Sequence, residues 1–308
     1  MNNYYLYISF FSNLQLMRSL SKRKLSLKNT IRKLKKMAGS SKSIFPSIKS
    51  SSLKSNQSMK DLLDEELVPE KINIKRQTYI SPKDLLNPIG ILDPEGKNNN
   101  PLTNQPYQNL YSKTYIEQAK SWSILPMYNK REEAIKAIYD HQVILVISGT
   151  GSGKTVLTPK FTLHALNYQG RIAITNPKRT PSVENAEFAA QNLDVVLGDQ
   201  VGLKHRDSDK EKYSSNSKLI YCTDGYLLAK LNSDEKLSDI DCVIIDEAHE
   251  RGVNIDLLLL KLKNLCLIRP EFKLIIMSAT ISEEIFINYF PTSLFKFIKI
   301  YGGEKPNK

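Results

Sequence analysis

Acidic residues are missing from the first sixty positions, which hold thirteen Lys or Arg and no Asp or Glu. The whole chain carries 44 basic and 32 acidic residues, so the remaining positions hold 31 against 32 and are close to neutral. The net charge of +12 therefore belongs to an N-terminal arm, which excludes a uniformly basic nucleic-acid coat. Cysteine is scarce. Cys222, Cys242 and Cys266 sit in or beside apolar runs without CxxC spacing. That argues against a disulfide framework or zinc ribbon and for reduced core thiols in a reducing compartment, cytoplasm or nucleus. Four scattered histidines make no metal cluster. No apolar run approaches the roughly 18–20 residues that span a bilayer, so a membrane partner is not expected. The opening apolar stretch Tyr4–Phe11 is short and has no basic segment before it, a poor secretory leader.

Residues 1–60 are rich in Ser and Lys. Leu16, Leu20, Leu27, Ile31 and Leu34 fall near a helical stripe, flanked by Arg23, Lys24, Lys28, Lys33 and Lys35. Three readings compete: a solvated disordered tail or amphipathic helix, an arm that binds RNA, and a mitochondrial-type transit peptide. The last is weakened because the arm favours Lys over Arg. Translation could start at Met1, Met17 or Met37. Residues 61–77 could form a short helix. From Tyr79 to about Ser112, repeated Pro, Asn and Gly read as a linker. The expected organisation is an arm over 1–60, a linker region over 61–120, one domain over 121–300 and a tail over 301–308. Abundant Lys, Asn, Ile and Tyr hint at an AT-rich genome, such as that of a parasite, a protist or a large virus.

Beyond about Lys120, short β-branched runs recur at Val143–Ile147, Arg171–Thr175, Lys218–Cys222, Asp241–Ile245, Lys273–Met277 and Phe295–Ile300. Helical patterns lie between them, at Lys154–Asn167, Ser182–Asn192, Tyr226–Asn232, Ile255–Leu267 and Glu283–Tyr289. Continuous apolar strands alternating with helices predict a doubly wound α/β fold, a parallel sheet with helices on both faces. Ligands of such sheets bind at the carboxyl ends of the strands.

The first run leads into Ser148, Gly149, Thr150, Gly151, Ser152, Gly153, Lys154 and Thr155, a P-loop pattern apart from Ser148 in its first position. Glycines let the backbone curl so that successive N–H groups face a phosphate, and the following helix adds its positive dipole end. Lys154 would neutralise the β- and γ-phosphates and Thr155 would ligate Mg²⁺. The candidate ligands are thus ATP, or another nucleoside triphosphate, and Mg²⁺.

A second buried run, Cys242–Ile245, ends in Asp246, Glu247, Ala248, His249, Glu250 and Arg251. Asp246 suits the Mg²⁺ ion opposite Thr155, and Glu247 suits a base that orients and deprotonates the attacking water. His249 reads either as a structural hydrogen-bonding group or as a link to Ser278, Ala279 and Thr280.

Leu125-Pro126, the phosphate loop, Thr175–Arg179, Val201-Gly202, Thr223–Gly225, Asp246–Arg251, Arg269-Pro270 and Ser278–Thr280 stand in the order of a known family. Over roughly Trp122–Ile300 the chain resembles the DEAH-box RNA helicases of superfamily 2, and Asp256 after the Glu-Arg pair strengthens the likeness. The resemblance implies a RecA-like first helicase domain and ATP-dependent RNA remodelling. It implies RNA-backbone contacts from Arg179 together with Lys178, a phosphate-gripping RNA-binding loop positioned by Thr223 and Asp224, and coupling of hydrolysis to domain movement through Ser278 and Thr280.

Two departures stand out. Asn176 and Lys178 replace the family's Gln and first Arg, and Phe188 occupies the position of an arginine that stacks on the base in many members. Phe188 could stack in its place or fill the core. Nothing in Tyr301–Lys308 resembles the second RecA-like domain, whose arginines are worth about 10³–10⁵ in rate in related phosphoryl transfers. A second chain supplying that domain, and weak hydrolysis by this chain alone, are therefore expected. The alternatives are a non-catalytic, nucleotide-responsive RNA-binding scaffold and a truncated gene remnant.

Overall fold

The computed structural model describes residues 90–103, 111–205, 212–279, 283–293, 295 and 297–303. The basic arm, the short helix expected over 61–77 and Thr280 lie outside the described residues.

Seven parallel strands form one sheet in the order β3-β4-β2-β5-β6-β1-β7. They are β1 (Val143–Ile147), β2 (Ile172–Asn176), β3 (Val201–Lys204), β4 (Leu219–Thr223), β5 (Cys242–Ile245), β6 (Lys273–Ser278) and β7 (Phe297–Tyr301). Central strands of a parallel sheet bury both faces, and their sequences show it: every residue of β1, β2, β5 and β6 is buried. Side chains alternate between two cores. Ile144, Val146, Ile172, Ile174, Ile244, Ile275 and Met277 face one, while Val143, Leu145, Val243, Ile245, Leu274 and Ile276 face the other.

The first core is covered by α1 (Lys113–Trp122), α2 (Pro126–Asn129), α3 (Arg131–Asp140), α4 (Lys154–Ala165) and α5 (Arg179–Leu193). The second is covered by α6 (Asp224–Ser233), α7 (Val253–Ile268) and α8 (Glu283–Tyr289). The parallel α/β architecture expected from the strand and helix periods is the one observed. The sequence reading missed β3 and the first three helices.

Part of the segment expected as a linker packs on the domain. Ile91 and Leu92 are fully buried in the first core, and α1 inserts Tyr115, Ala119 and Trp122 into the same layer. Lys160 of α4 ties these pieces together. It is buried, donates to the carbonyls of Ile91 (3.3 Å) and Asn192 (2.8 Å), and lies 4.0 Å from the centre of the Trp122 ring. Burial without a carboxylate partner pushes its ammonium pKa well down.

At the amino ends of the strands, buried Arg269 donates to the carbonyls of Lys236, Leu237 and Ile240 and pairs with Glu271 at 2.8 Å. All three cysteines are buried free thiols, their pKa values raised by burial. Among the described residues, no helix is long and apolar enough to cross a membrane.

Candidate functional site

The motif residues converge at the carboxyl edge of the sheet. Ser148 follows β1, Lys178 and Arg179 follow β2, and Thr223 and Asp224 span the end of β4 and the start of α6. Asp246 and Glu247 follow β5, and Ser278 ends β6.

The phosphate loop is shaped by backbone that only glycine adopts cheaply: Gly151 has φ +81° and Gly153 φ +92°. A second support is the segment from Leu125. The Met127 N–H donates to Ser152 O at 3.0 Å, and a Cβ on Gly153 would come within 2.7 Å of Leu125. Ser148, the departure from the pattern, is fully buried and donates its N–H to Ser278 O at 3.1 Å. Room for its side chain comes from the far end of the domain. A Cβ on Gly302 would overlap Met127 Sδ and lie 3.0 Å from Ser148 Oγ. Gly302→Ala should therefore destabilise the protein by about 1–3 kcal/mol. Ser148→Gly in the same chain should restore part of that loss, read from denaturant midpoints.

The acidic residues stand across from this loop. Lys154 Nζ lies 3.6 Å from Glu247 Oε1, with the lysine side chain 6% exposed. The Glu247 N–H donates to Asp246 Oδ1 at 2.9 Å. Burial, then the Glu247 charge, push the Asp246 carboxyl up from its ordinary 3.8 to about 6, although Lys154 and the Thr155 hydroxyl pull it back. A buried carboxylate with a raised pKa beside a hydroxyl is a set that a divalent cation would satisfy. The loop supports the same fit. Its Thr150, Gly151 and Gly153 N–H groups meet no acceptor among the described residues, and the buried Ser148 and Ser152 hydroxyls find no partner.

His249 Nδ1 lies 3.3 Å from Glu247 and accepts from the Ala279 N–H at 3.5 Å, so it stands between the acidic loop and the end of β6. On the outer side, Lys178 Nζ lies 3.9 Å from Glu250, and Arg179 opens α5 in exposed position. The Thr223 hydroxyl caps α6 by accepting from the Tyr226 N–H. Asp224 is buried, and burial raises its pKa. Phe188 is 45% exposed and lines a cavity with Thr155, Val156, Pro159 and Asn185, so it is not core packing.

Two of these links were not read from the sequence: Lys178 with Glu250, and Gly302 with Ser148. No local pattern signals them, because each joins segments that only the folded chain brings together.

A RecA-like parallel sheet with this loop and this acidic strand end defines a P-loop nucleotide-binding domain. The chain belongs to the DEAD/DEAH box helicase family, whose family model matches residues 128–286. It is 45% identical over 204 residues to a protein of Acanthamoeba polyphaga mimivirus named as an ATP-dependent RNA helicase; the match covers 66% of this chain and 29% of that protein. ATP-dependent RNA helicase HrpA of Borreliella burgdorferi is 42% identical over 167 residues, covering 54% and 20%. A DExH-box ATP-dependent RNA helicase of Arabidopsis thaliana is 37% identical over 171 residues, covering 54% and 14%. The chain spans less than a third of the length of each of these relatives.

Proposed function

We propose that this chain carries the ATP-binding part of an ATP-dependent RNA helicase. The observation behind this reading is the convergence of Lys154, Thr155, Asp246 and Glu247, from two strand ends, on one face of the phosphate loop. Lys154 and the loop amides bind the β- and γ-phosphates of ATP or another nucleoside triphosphate. Thr155 and Asp246 hold Mg²⁺, which when bound neutralises phosphate charge. Glu247 orients the attacking water and accepts its proton, and His249 links the acidic loop to the end of β6. Ser278 and Thr280 transmit the change beyond this domain.

Lys178 and Arg179 form the RNA side, with Thr223 and Asp224 shaping the adjoining loop at the start of α6. An ammonium and a guanidinium at an exposed strand end suit sequence-independent contact with the phosphate backbone. The partners assigned are RNA and a further RecA-like domain, carried by a second chain or by a longer form of this one, that completes the hydrolytic site. Exposed Phe188 fits a stacking platform for the base. Phe188→Ala should raise the nucleotide Kd roughly 2- to 10-fold, alike for ATP and GTP, because stacking does not read base edges.

The test is ATP turnover by the purified chain with and without single-stranded RNA, beside Glu247→Gln. RNA-stimulated turnover lost in the substituted chain supports the reading. Absence of Mg²⁺-dependent nucleotide binding, or binding unchanged in Lys154→Ala, defeats it.

A further inference from the structure

The loop that carries the hydrolytic carboxylate is bounded by two left-handed residues, neither of them glycine. Glu247 has φ 53° and ψ 38°, Arg251 has φ 48° and ψ 40°, and between them Ala248–Glu250 make a single 3₁₀ turn. Bulky residues in this region are held there only when neighbouring contacts outweigh the strain. At the first end the holding contact is local, from the Glu247 N–H to Asp246 Oδ1 at 2.9 Å. Within the turn, the Glu250 N–H donates to Glu247 O at 2.9 Å.

At the second end the contact is to another element. Arg251 Nε donates to Asp256 Oδ1 at 2.8 Å. Asp256 belongs to the first turn of α7, a helix anchored by buried Ile255, Leu258, Leu259, Leu262 and Leu265. Tyr289 of α8 lies close enough to feel both charges, Asp256 raising its hydroxyl pKa and Arg251 lowering it, after burial as the main cause. A strained turn is thus fastened at its far end to a rigid helix by a charge-assisted hydrogen bond.

We propose that Asp256 is a positioning residue: through Arg251 it holds the turn Glu247–Arg251 in the conformation that aims Glu247 at the phosphate loop. This rests on the reading of Glu247 as the hydrolytic base. Without Asp256, Arg251 can relax to ordinary backbone angles, and the turn carrying Glu247 and His249 moves with it. Asp256 itself touches neither nucleotide nor the attacking water. Phosphate binding depends on Lys154 and the loop amides, which Asp256 does not support, so its loss should act on kcat and spare KM.

Two measurements on the full chain test this. Hydrogen exchange of the nucleotide-free protein should show the segment 247–251 exchanging about tenfold faster or more in Asp256→Asn, with residues from Leu258 onward unchanged. At saturating RNA, the same substitution should lower kcat roughly 10- to 100-fold while the ATP KM stays within about twofold. Asp256→Glu should restore both readings. Arg251→Gly, which accepts left-handed backbone without strain but has no anchor, should fold and reproduce the kcat loss. Unchanged loop exchange, kcat and KM moving together with faster exchange throughout, or no recovery in Asp256→Glu would overturn the proposal. Faster loop exchange in a chain that shows no Mg²⁺-dependent nucleotide binding overturns the functional reading and leaves the pinning intact.

Discussion

Glu247→Gln is expected to lower the RNA-stimulated kcat for ATP hydrolysis by roughly 10²- to 10⁴-fold, the usual contribution of a general base. Nucleotide affinity should change little or tighten. The carboxylate stands 3.6 Å from Lys154 Nζ, with its own side chain 33% exposed, so it faces the lysine that would meet the γ-phosphate. The amide keeps this size and the hydrogen bond at the backbone N–H. It loses the negative charge and the ability to take a proton. Removing that charge also frees Lys154 from its intramolecular partner, which favours a phosphate in its place. Single-turnover hydrolysis alongside equilibrium binding of a fluorescent ATP analogue separates these effects. A fall in kcat and in affinity together would mean that Glu247 acts in binding; an unchanged kcat would remove it from the chemistry.

The strand ends and the site were legible for different reasons. β1, β5 and β6 announce themselves because strands buried on both faces must be apolar at every position, and Val143–Ile147 was bounded correctly from that rule. β3 was not, since Gly202 and Lys204 interrupt its apolar run and it lies at the sheet edge. Gly202 is small because Tyr213 and Ser217 pack against it. Helix α5 begins at Arg179, three residues before the position expected. Pro181 falls in its first turn, where proline costs no intrahelical hydrogen bond, so the helix can start ahead of it.

Helix α1 was hidden by its surroundings. Tyr115, Ala119 and Trp122 are spaced for one helical face, but the Asn- and Pro-rich stretch before them suggested a linker. The phosphate loop and the acidic strand end were readable because phosphate chemistry constrains residue type and spacing together. What supports them was not. The Lys178–Glu250 pair and the Gly302 gap depend on where whole elements come to rest.

Asp246→Asn should uncouple stability from function and reverse their usual relation. The Asp246 carboxyl is 1% exposed, and its pKa is raised to about 6 in the folded protein from an ordinary 3.8. Below about pH 4 the group is protonated in both states and costs nothing. Between about pH 4 and 6 the unfolded chain gives up its proton first, so the folded state binds more protons and stability falls as pH rises. Above about pH 6 the penalty is complete, on the order of 3 kcal/mol. Asn carries no charge to desolvate. The nucleotide-free Asp246→Asn protein should therefore be more stable than the parent above pH 6, with the difference shrinking to near zero by pH 4, as read from denaturant midpoints. The same substitution should abolish the dependence of nucleotide binding on Mg²⁺ and reduce turnover at least about 10²-fold. In the unsubstituted chain, binding of nucleotide with Mg²⁺ should be accompanied by loss of the Asp246 proton, so calorimetry in buffers of different ionisation enthalpy should register more proton release near pH 6 than in Asp246→Asn, where only the nucleotide phosphate contributes. A variant no more stable at pH 8 than at pH 4, relative to the parent, would mean that the buried carboxylate is already compensated within the protein. Asp246 would then have no unmet charge to offer a cation.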